Sequence, residues 1–168
     1  MKSKILMKAS NSFALIAALA LSCPQNALAQ PALTAKSLEG VWKVTRIVKA
    51  GVVNEHPEPV LLIVSRGYFS VLRVREPRKQ APEPKDPKHL TDAEKIALYE
   101  EWAPYGASGG TYEVKGNTWI NQNIVAKMVK GMSLREQAII TKFDGNSMVV
   151  SGEPGKPSDI ETTYTRVR

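Results

Sequence analysis

The sequence predicts an all-β fold, an eight-stranded antiparallel up-and-down barrel with one inserted α-helix. Short runs rich in valine, isoleucine, threonine and aromatic residues follow one another, and most are joined by hairpin-type turns. A single helical segment interrupts this series of strands, which argues against a parallel α/β sheet. About eight short strands in antiparallel succession suit a closed barrel, because closure removes the exposed edges of a sheet.

The first strand is expected over residues 38–49, where apolar and polar side chains alternate. Trp42 and Arg46 share one face of this strand, and we expect that face to point inward. Gly40 precedes Trp42 by two positions, which indicates a close backbone approach beside a tryptophan ring at the barrel floor.

The middle of the chain contains a hairpin, a linker and a helix. Strands are expected at 60–65 and 68–75, followed by a basic Pro-rich flap, residues 76–89, that has no core-forming content. Thr91 and Glu94 form a capping-box signature for a helix that Pro104 ends. Three further strands are expected near the end of the chain, at 134–143, 147–151 and 160–167.

A Gly116-Asn117 turn predicts the register of another hairpin, between strands at 111–115 and 118–126. The candidate lining of a small-molecule cavity shares one face of this hairpin and consists of Tyr112, Trp119, Asn121 and Asn123. Apolar walls exclude water from such a cavity, and a few amide or phenol groups orient the ligand. The alternative is that the aromatic residues are plain core and the asparagines face solvent.

Arg46 is a further candidate ligand-binding residue. An inward-facing arginine needs a partner, because burial of an unpaired charge is costly. That partner is either an internal carboxylate, such as Glu161 or Glu39, or the anionic end of a ligand.

No catalytic residue, metal site or cofactor is assigned from the sequence. His56 and His89 lie in proline-bounded loops and have no partner at a triad or metal spacing. The sequence has no Gly-rich phosphate loop and no nucleophile elbow. Nothing in the residue spacing therefore supports an enzyme assignment.

Residues 1–29 have the pattern of a secretory signal peptide, with a basic start, a short apolar core and a small-x-small cleavage site ending at Ala29. The apolar core is too short to be a stable membrane span. A lipoprotein anchored through Cys23 is the alternative, although Pro24 directly after the cysteine is unfavourable for it. We expect a periplasmic or secreted protein with one barrel domain at residues 30–168.

Composition excludes several classes of protein. Cys23 is the only cysteine, so an intramolecular disulfide and a cysteine-ligated metal are excluded. The chain has 23 basic and 16 acidic residues, and removal of Lys2, Lys4 and Lys8 with the leader lowers the net charge from +7 to +4. No basic run with interleaved aromatic residues marks a nucleic-acid track, so no nucleic-acid partner is expected.

Residues 38–44, Leu-Glu-Gly-Val-Trp-Lys-Val, resemble the opening of the lipocalin-like domain family. The likeness continues to about residue 167 through three segments, at residues 67–71, 98–106 and 110–114. The resemblance implies an eight-stranded lipocalin-like barrel with an internal cavity and, for many members, no established activity. It also implies that a basic residue on the last strand packs across the Trp42 ring. Arg166 is the natural match and Arg168 the second choice. Relatives often carry histidines where this chain has residues 120–123, Ile-Asn-Gln-Asn.

Three functions remain open from the sequence. The first is an exported barrel that binds a small hydrophobic or amphipathic molecule in its internal cavity. The second is an isomerase, cyclase or hydrolase that uses the same cavity. The third is a protein-interaction module whose flap, residues 76–89, contacts a partner.

Overall fold

The computed structural model describes residues 32–168, so the predicted signal peptide and Cys23 lie outside the described residues. The strands are β1 (Gly40–Lys49), β2 (Val52–Asn54), β3 (Val60–Ser65), β4 (Tyr68–Val74), β5 (Tyr105–Lys115), β6 (Thr118–Ala126), β7 (Arg135–Phe143), β8 (Ser147–Ser151) and β9 (Ile160–Arg166). Helix α1 (Asp92–Trp102) lies between β4 and β5, and single 3₁₀ turns occur at Lys36–Leu38 and Val129–Gly131. Within the described residues no helix is long and apolar enough to cross a bilayer.

Eight of these strands form a closed antiparallel barrel. The strands β3 to β9 pair in sequence order, and β1 pairs with β3 on one side and with β9 on the other. Trp42 on β1 lies opposite Leu62 on β3 and opposite Arg166 on β9, which closes the sheet. The short strand β2 only folds back along the end of β1. The predicted fold class is confirmed.

The hairpin around Gly116 has the predicted register. Val114 lies opposite Trp119 and Tyr112 lies opposite Asn121. Gly116 has a φ of +60°, a backbone conformation that this turn requires and that glycine adopts without steric cost. Strand β5 begins six residues before the predicted start, at Tyr105, because its small residues are paired with β4 along their whole length.

The hydrophobic core fills one end of the barrel, which we call the floor. The buried cluster consists of Leu38, Trp42, Leu62, Val64, Phe69, Val71, Tyr112, Trp119, Ile140 and Met148. The 3₁₀ turn at Lys36–Leu38 covers this end, and the Trp42 Nε1 donates a hydrogen bond to the Leu38 carbonyl oxygen at 2.8 Å. The opposite end, where β4 ends and β5 begins, is the mouth.

Arg166 fastens the floor from the last strand. Its guanidinium lies over the ring of Trp42, and it donates hydrogen bonds to the carbonyl oxygens of Gly145, Ser37 and Glu39. Gly40 has a φ of +137°, and a Cβ at this position would collide with the Arg166 Nη1. The space beside the Gly40 backbone is therefore occupied by the guanidinium.

Arg46 lies on the face opposite to the one expected. The pairing of β1 with β9 shifts register between Val44 and Arg46, so that Arg46 lies opposite Thr163 whereas Val44 lies opposite Tyr164. A β-bulge adds one residue to one strand and reverses the inward and outward alternation beyond it. Arg46 is 39% exposed as a result, and Ile47 takes the inward position.

Candidate functional site

The barrel contains a cavity of about 240 Å³ above the floor. Its apolar walls are Leu62, Phe69, Val71, Trp119, Ala138, Met148 and Val150, and its polar lining is Arg73, Asn121, Glu136, Gln137 and Tyr164. Two adjoining cavities at the mouth, of about 450 and 320 Å³, share Arg73 with it. The lumen is thus apolar at depth, and its ionisable groups lie towards the mouth.

Arg73 is positioned by the alternation of β4. Phe69, Val71 and Arg73 occupy every second position of the strand, and Arg73 is the one nearest to the mouth. On the neighbouring strand it lies opposite Gly106. A Cβ at Gly106 would lie 2.8 Å from the Arg73 Cγ, so the stem of the arginine lies over this glycine.

A carboxylate and two amides form a cluster on β6 and β7. Asn121 lies opposite Glu136 in the sheet. The Glu136 Oε2 accepts hydrogen bonds from the Asn121 Nδ2 at 3.3 Å and from the Asn123 Nδ2 at 3.4 Å. The same Asn123 nitrogen donates to the Gly131 carbonyl oxygen at 3.0 Å, and Asn123 is only 5% exposed. The two amides therefore face the carboxylate on the cavity wall, where the Glu136 side chain is itself exposed.

Tyr164 supplies a phenol to the same cavity from β9. It lies opposite Val44 on one side and Met148 on the other, and it precedes Arg166 by two positions on the same face. Burial raises the pKa of the Tyr164 phenol, and the nearby positive charge of Arg73 partly opposes this effect. The phenol is therefore neutral at neutral pH and is able to donate a hydrogen bond.

Tyr112, one of the predicted cavity residues, is part of the floor. It is 6% exposed, its hydroxyl donates to the Ala35 carbonyl oxygen at 2.8 Å, and its ring stacks on Trp119 at 5.1 Å. Burial, with a smaller contribution from the charge of Glu39, raises the pKa of Tyr112. Its hydroxyl joins the barrel to the segment that covers the floor, and Tyr112 does not border the cavity.

The other sequence candidates divide between the cavity and the outer surface. Trp119 and Asn121 line the lumen, and Asn123 lines the larger mouth cavity. Arg46 instead forms an ion pair on the outside of the barrel, with its Nε 3.0 Å from the Glu55 Oε1. The internal partners considered for Arg46, Glu161 and Glu39, are not the ones it contacts.

Sequence reasoning missed Arg73, Glu136 and the role of Tyr164. The alternation that places Phe69 and Val71 inward extends to Arg73, and this signal was present in the sequence. Glu136 could not be found in the same way. It reaches the cavity through the pairing of β6 with β7, and no hairpin turn sets that register because an irregular segment joins the two strands.

Helix α1 is fastened to the mouth by its last turn. The Lys127 Nζ donates hydrogen bonds to the carbonyl oxygens of Trp102, Ala103 and Tyr105, and the Trp102 ring packs on Tyr105 at 5.0 Å. Tyr99 borders the larger mouth cavity but is 71% exposed. No residue of the helix is buried, so the helix lies beside the mouth without closing it.

Within residues 32–168, no three histidine, cysteine, aspartate or glutamate side chains are grouped to bind a metal ion. His56 and His89 are both exposed, and the Nδ1 of His89 lies 2.8 Å from the Asp86 Oδ2. The lumen itself offers an apolar chamber with one cation, one carboxylate, two amides and a phenol, which are Arg73, Glu136, Asn121, Gln137 and Tyr164. The larger mouth cavity adds the cations Arg75, Lys127 and Lys130 and the amide of Asn123. This composition suits the binding of a small molecule.

Comparison with known proteins gives a structural likeness but no match in sequence. No family model matches the chain, and no curated protein matches it in sequence. The chain is similar to the crystal structure of a lipocalin-like protein from Bacteroides uniformis ATCC 8492, at 12% sequence identity and a TM-score of 0.47. The match covers 78% of this chain and 99% of that one. At this level of similarity, the fold assignment depends on the strand pairings of the chain itself. Eight antiparallel strands in up-and-down order, closed by β1 and β9, are the lipocalin architecture.

Proposed function

We propose that this protein is an exported lipocalin-like barrel that binds a small, mainly hydrophobic molecule in its internal cavity. The observation that carries the proposal is the composition of the lumen, in which seven apolar residues form the walls and the polar groups converge near the mouth. Sites for small molecules have this arrangement, because apolar walls provide the desolvation energy and a few polar groups set the orientation. A barrel of eight strands is also wide enough to hold one small ligand.

The size of the lumen supports a small ligand. Its volume of about 240 Å³ is slightly below the range of roughly 300–1,000 Å³ that is usual for drug-sized ligands. The adjoining mouth cavities provide room for a polar end. The body of the ligand would therefore lie against Phe69, Val71 and Trp119, and its polar end would lie near the mouth.

A cavity-filling substitution tests the proposal. Ala138 lines the lumen on β7 opposite Trp119, so Ala138→Phe would fill the chamber. Ser70 lies between Phe69 and Val71 on the outer face of β4, and Ser70→Phe is the matched control. The uncharged probe N-phenyl-1-naphthylamine fluoresces in apolar surroundings and is titrated into each purified protein. We expect wild type and Ser70→Phe to bind it alike and Ala138→Phe to lose binding while keeping the wild-type circular dichroism. Equal binding by all three proteins would mean that the probe does not enter the lumen.

Export is supported by the pattern of residues 1–29, which precede the described residues. The test is cell fractionation combined with mass spectrometry of the mature amino terminus. We expect a soluble periplasmic or secreted protein that begins at Gln30. A lipid-modified amino terminus at Cys23, lost in Cys23→Ser, would replace this proposal with a membrane-anchored lipoprotein.

Two alternatives use other features of the chain. A cavity-based isomerase, cyclase or hydrolase would use Tyr164, the buried phenol with a raised pKa, as its proton donor. In that case Tyr164→Phe would abolish turnover of the natural ligand and keep its binding. An interaction module would use the flap, which is hydrogen-bonded to α1 through Ala81 with Glu101 and through Lys85 with Glu94. Deletion of residues 76–89 would then abolish recovery of the partner in a pull-down without lowering the melting temperature.

A further inference from the structure

We propose that Arg73 binds the anionic end of the ligand, so that the lumen selects small amphipathic molecules carrying a carboxylate or a comparable oxyanion. This inference rests on the proposed function and adds the chemical class of the ligand. It also moves the anion-binding role from Arg46, which lies outside the barrel, to an arginine that borders the lumen.

The location of Arg73 is the first support. It lies on the inner face of β4 directly above Phe69 and Val71, at the boundary between the apolar chamber and the mouth. Arg73 borders the lumen and both mouth cavities, so it lies at the boundary that these three spaces share. A molecule with its apolar body in the chamber would place a polar end at this height.

The second support is that the charge of Arg73 has no ion-pair partner within the part of the chain that the structure describes. Six ion pairs occur within residues 32–168, and Arg73 takes part in none of them. A guanidinium presents a planar fork that matches a carboxylate through two parallel hydrogen bonds. Such a pair is stronger inside a cavity than at an open surface, because less water screens it.

Glu136 is the carboxylate that shares the lumen with Arg73, and the two side chains do not form an ion pair. Both amide groups of the β6 cluster donate to the same carboxylate oxygen, Oε2. The guanidinium nitrogens of Arg73 and the carboxylate oxygens of Glu136 lie more than 4.0 Å apart, so the two groups are not in direct contact. The amides thus contact one oxygen of the carboxylate, and the guanidinium of Arg73 has no ion-pair partner among residues 32–168.

Tyr164 adds a second donor. It borders both the lumen and the smaller mouth cavity together with Arg73. Because the phenol stays protonated at neutral pH, its hydrogen is able to point to an oxyanion held by the guanidinium. An arginine and a neutral tyrosine on neighbouring walls offer a positive charge and a second hydrogen-bond donor to the incoming group, which favours an anion over an uncharged ligand.

Two fluorescent probes that share an aromatic body test the inference. The first, 8-anilinonaphthalene-1-sulfonate, carries an anionic group that N-phenyl-1-naphthylamine lacks. Both are titrated into wild type, Arg73→Gln and Arg46→Gln, and the last variant is the matched control because it removes the same charge from the outer surface. We expect Arg73→Gln to lower the affinity for the sulfonate probe by about tenfold or more, which is the loss expected for one charge-assisted contact. Arg73→Gln should change the affinity for the uncharged probe by less than about twofold. Arg46→Gln should change the affinity for neither probe.

The outcomes separate this inference from the proposed function. If both probes bind and Arg73→Gln affects them equally, the lumen binds ligands but Arg73 does not select anions. If neither probe binds wild type, the proposed function fails and the inference fails with it. Arg73→Lys keeps the charge, loses the fork, and should bind the sulfonate probe with intermediate affinity. The wild-type melting temperature in Arg73→Lys would show that any loss of binding is not a loss of fold.

Discussion

The guanidinium of Arg166 lies over the indole of Trp42, with its central carbon 4.1 Å from the ring centre. The same group donates to the Gly145 carbonyl oxygen at 2.7 Å, to the Ser37 carbonyl oxygen at 2.8 Å and to the carbonyl oxygen of Glu39. One side chain therefore joins the last strand to the β7–β8 turn and to the segment that covers the floor. The stability of the floor should depend on it.

Replacement of Arg166 by lysine should destabilise the fold by about 2–4 kcal/mol. Lysine retains the charge but has no planar fork, so it cannot satisfy three carbonyl groups while lying flat on the ring. Equilibrium unfolding in guanidinium chloride measures the change. Arg168→Lys, at the exposed end of the chain, is the control and should have no effect. Equal changes in the two variants would contradict a special role for Arg166.

Replacement of Gly40 by alanine should cost about 1–3 kcal/mol, because it forces a side chain into a positive-φ conformation and towards the Arg166 guanidinium. Gly116→Ala is the control, since Gly116 also has a positive φ but has open space around it. We expect Gly40→Ala to cost more than Gly116→Ala in chemical unfolding. In an Arg166→Met background this excess should shrink, because the colliding group is absent. If Gly40→Ala lowers the free energy of unfolding equally in both backgrounds, the positive-φ backbone alone causes the destabilisation.

Replacement of Gly106 by alanine should weaken binding of the sulfonate probe and leave the uncharged probe unaffected. The new methyl group would lie 2.8 Å from the Arg73 Cγ and would displace the stem of the arginine. Fluorescence titration measures both affinities, and we expect a loss of about three- to tenfold for the anion, somewhat less than complete removal of a charge-assisted contact. In an Arg73→Gln background the same substitution should have no further effect. A further loss there would indicate that Gly106 acts on the cavity without Arg73.

Alkaline pH should destabilise the protein through its two buried phenols. The pKa values of Tyr112 and Tyr164 are raised by burial, so folding favours their protonated forms. The resulting stabilisation is present below the pKa of an unfolded tyrosine, about 10, and is lost as the pH rises through the higher folded-state values. We expect the denaturation midpoint to fall as the pH rises above about 10, and to fall less in Tyr164→Phe than in wild type. Tyr68→Phe, at a residue that is 60% exposed, should keep the wild-type pH dependence.

Replacement of Thr91 by alanine should loosen helix α1 and leave the barrel intact. Thr91 and Glu94 form a complete capping box, whose loss costs a helix about 1 kcal/mol. Because no residue of the helix is buried, this cost should not reach the global unfolding transition. Hydrogen exchange of residues 92–102 should become faster, and the melting temperature should stay unchanged. A parallel fall in the melting temperature would mean that the helix supports the barrel.

The sequence was sufficient to predict the fold class and the elements whose turns are explicit. The Gly116-Asn117 turn determines its hairpin register because a two-residue loop sets which residues lie opposite each other, beginning with Lys115 and Thr118. Positions where a strand departs from regular pairing could not be predicted in this way. The bulge between Val44 and Arg46 reverses the alternation of β1, and no residue of that stretch marks it in advance. Arg46 was therefore predicted on the wrong face.

The candidate site was predicted only in part, for a related reason. Trp119 and Asn121 line the lumen as expected from one hairpin, but a barrel interior is assembled from all eight strands. Arg73 was missed although alternation along β4 places it inward, whereas Glu136 depends on the pairing across an irregular connection. The register between strands that no hairpin turn connects cannot be read from the local sequence pattern, because it depends on how the whole sheet closes. Tyr112 is a second case of a distant contact. Its hydroxyl donates to the Ala35 carbonyl oxygen, 77 positions earlier in the chain, and this contact makes Tyr112 part of the floor.

The pairing of β9 with both β1 and β8 has a consequence for biogenesis. The seven residues Ile160–Arg166 supply two ladders at once, one of them to a strand more than a hundred positions earlier. Contacts of such long sequence separation form slowly. The barrel therefore cannot close until its final strand has been synthesised and is free to pair. A chain released before Ile160 would expose two unpaired edges, which makes premature termination a direct route to aggregation.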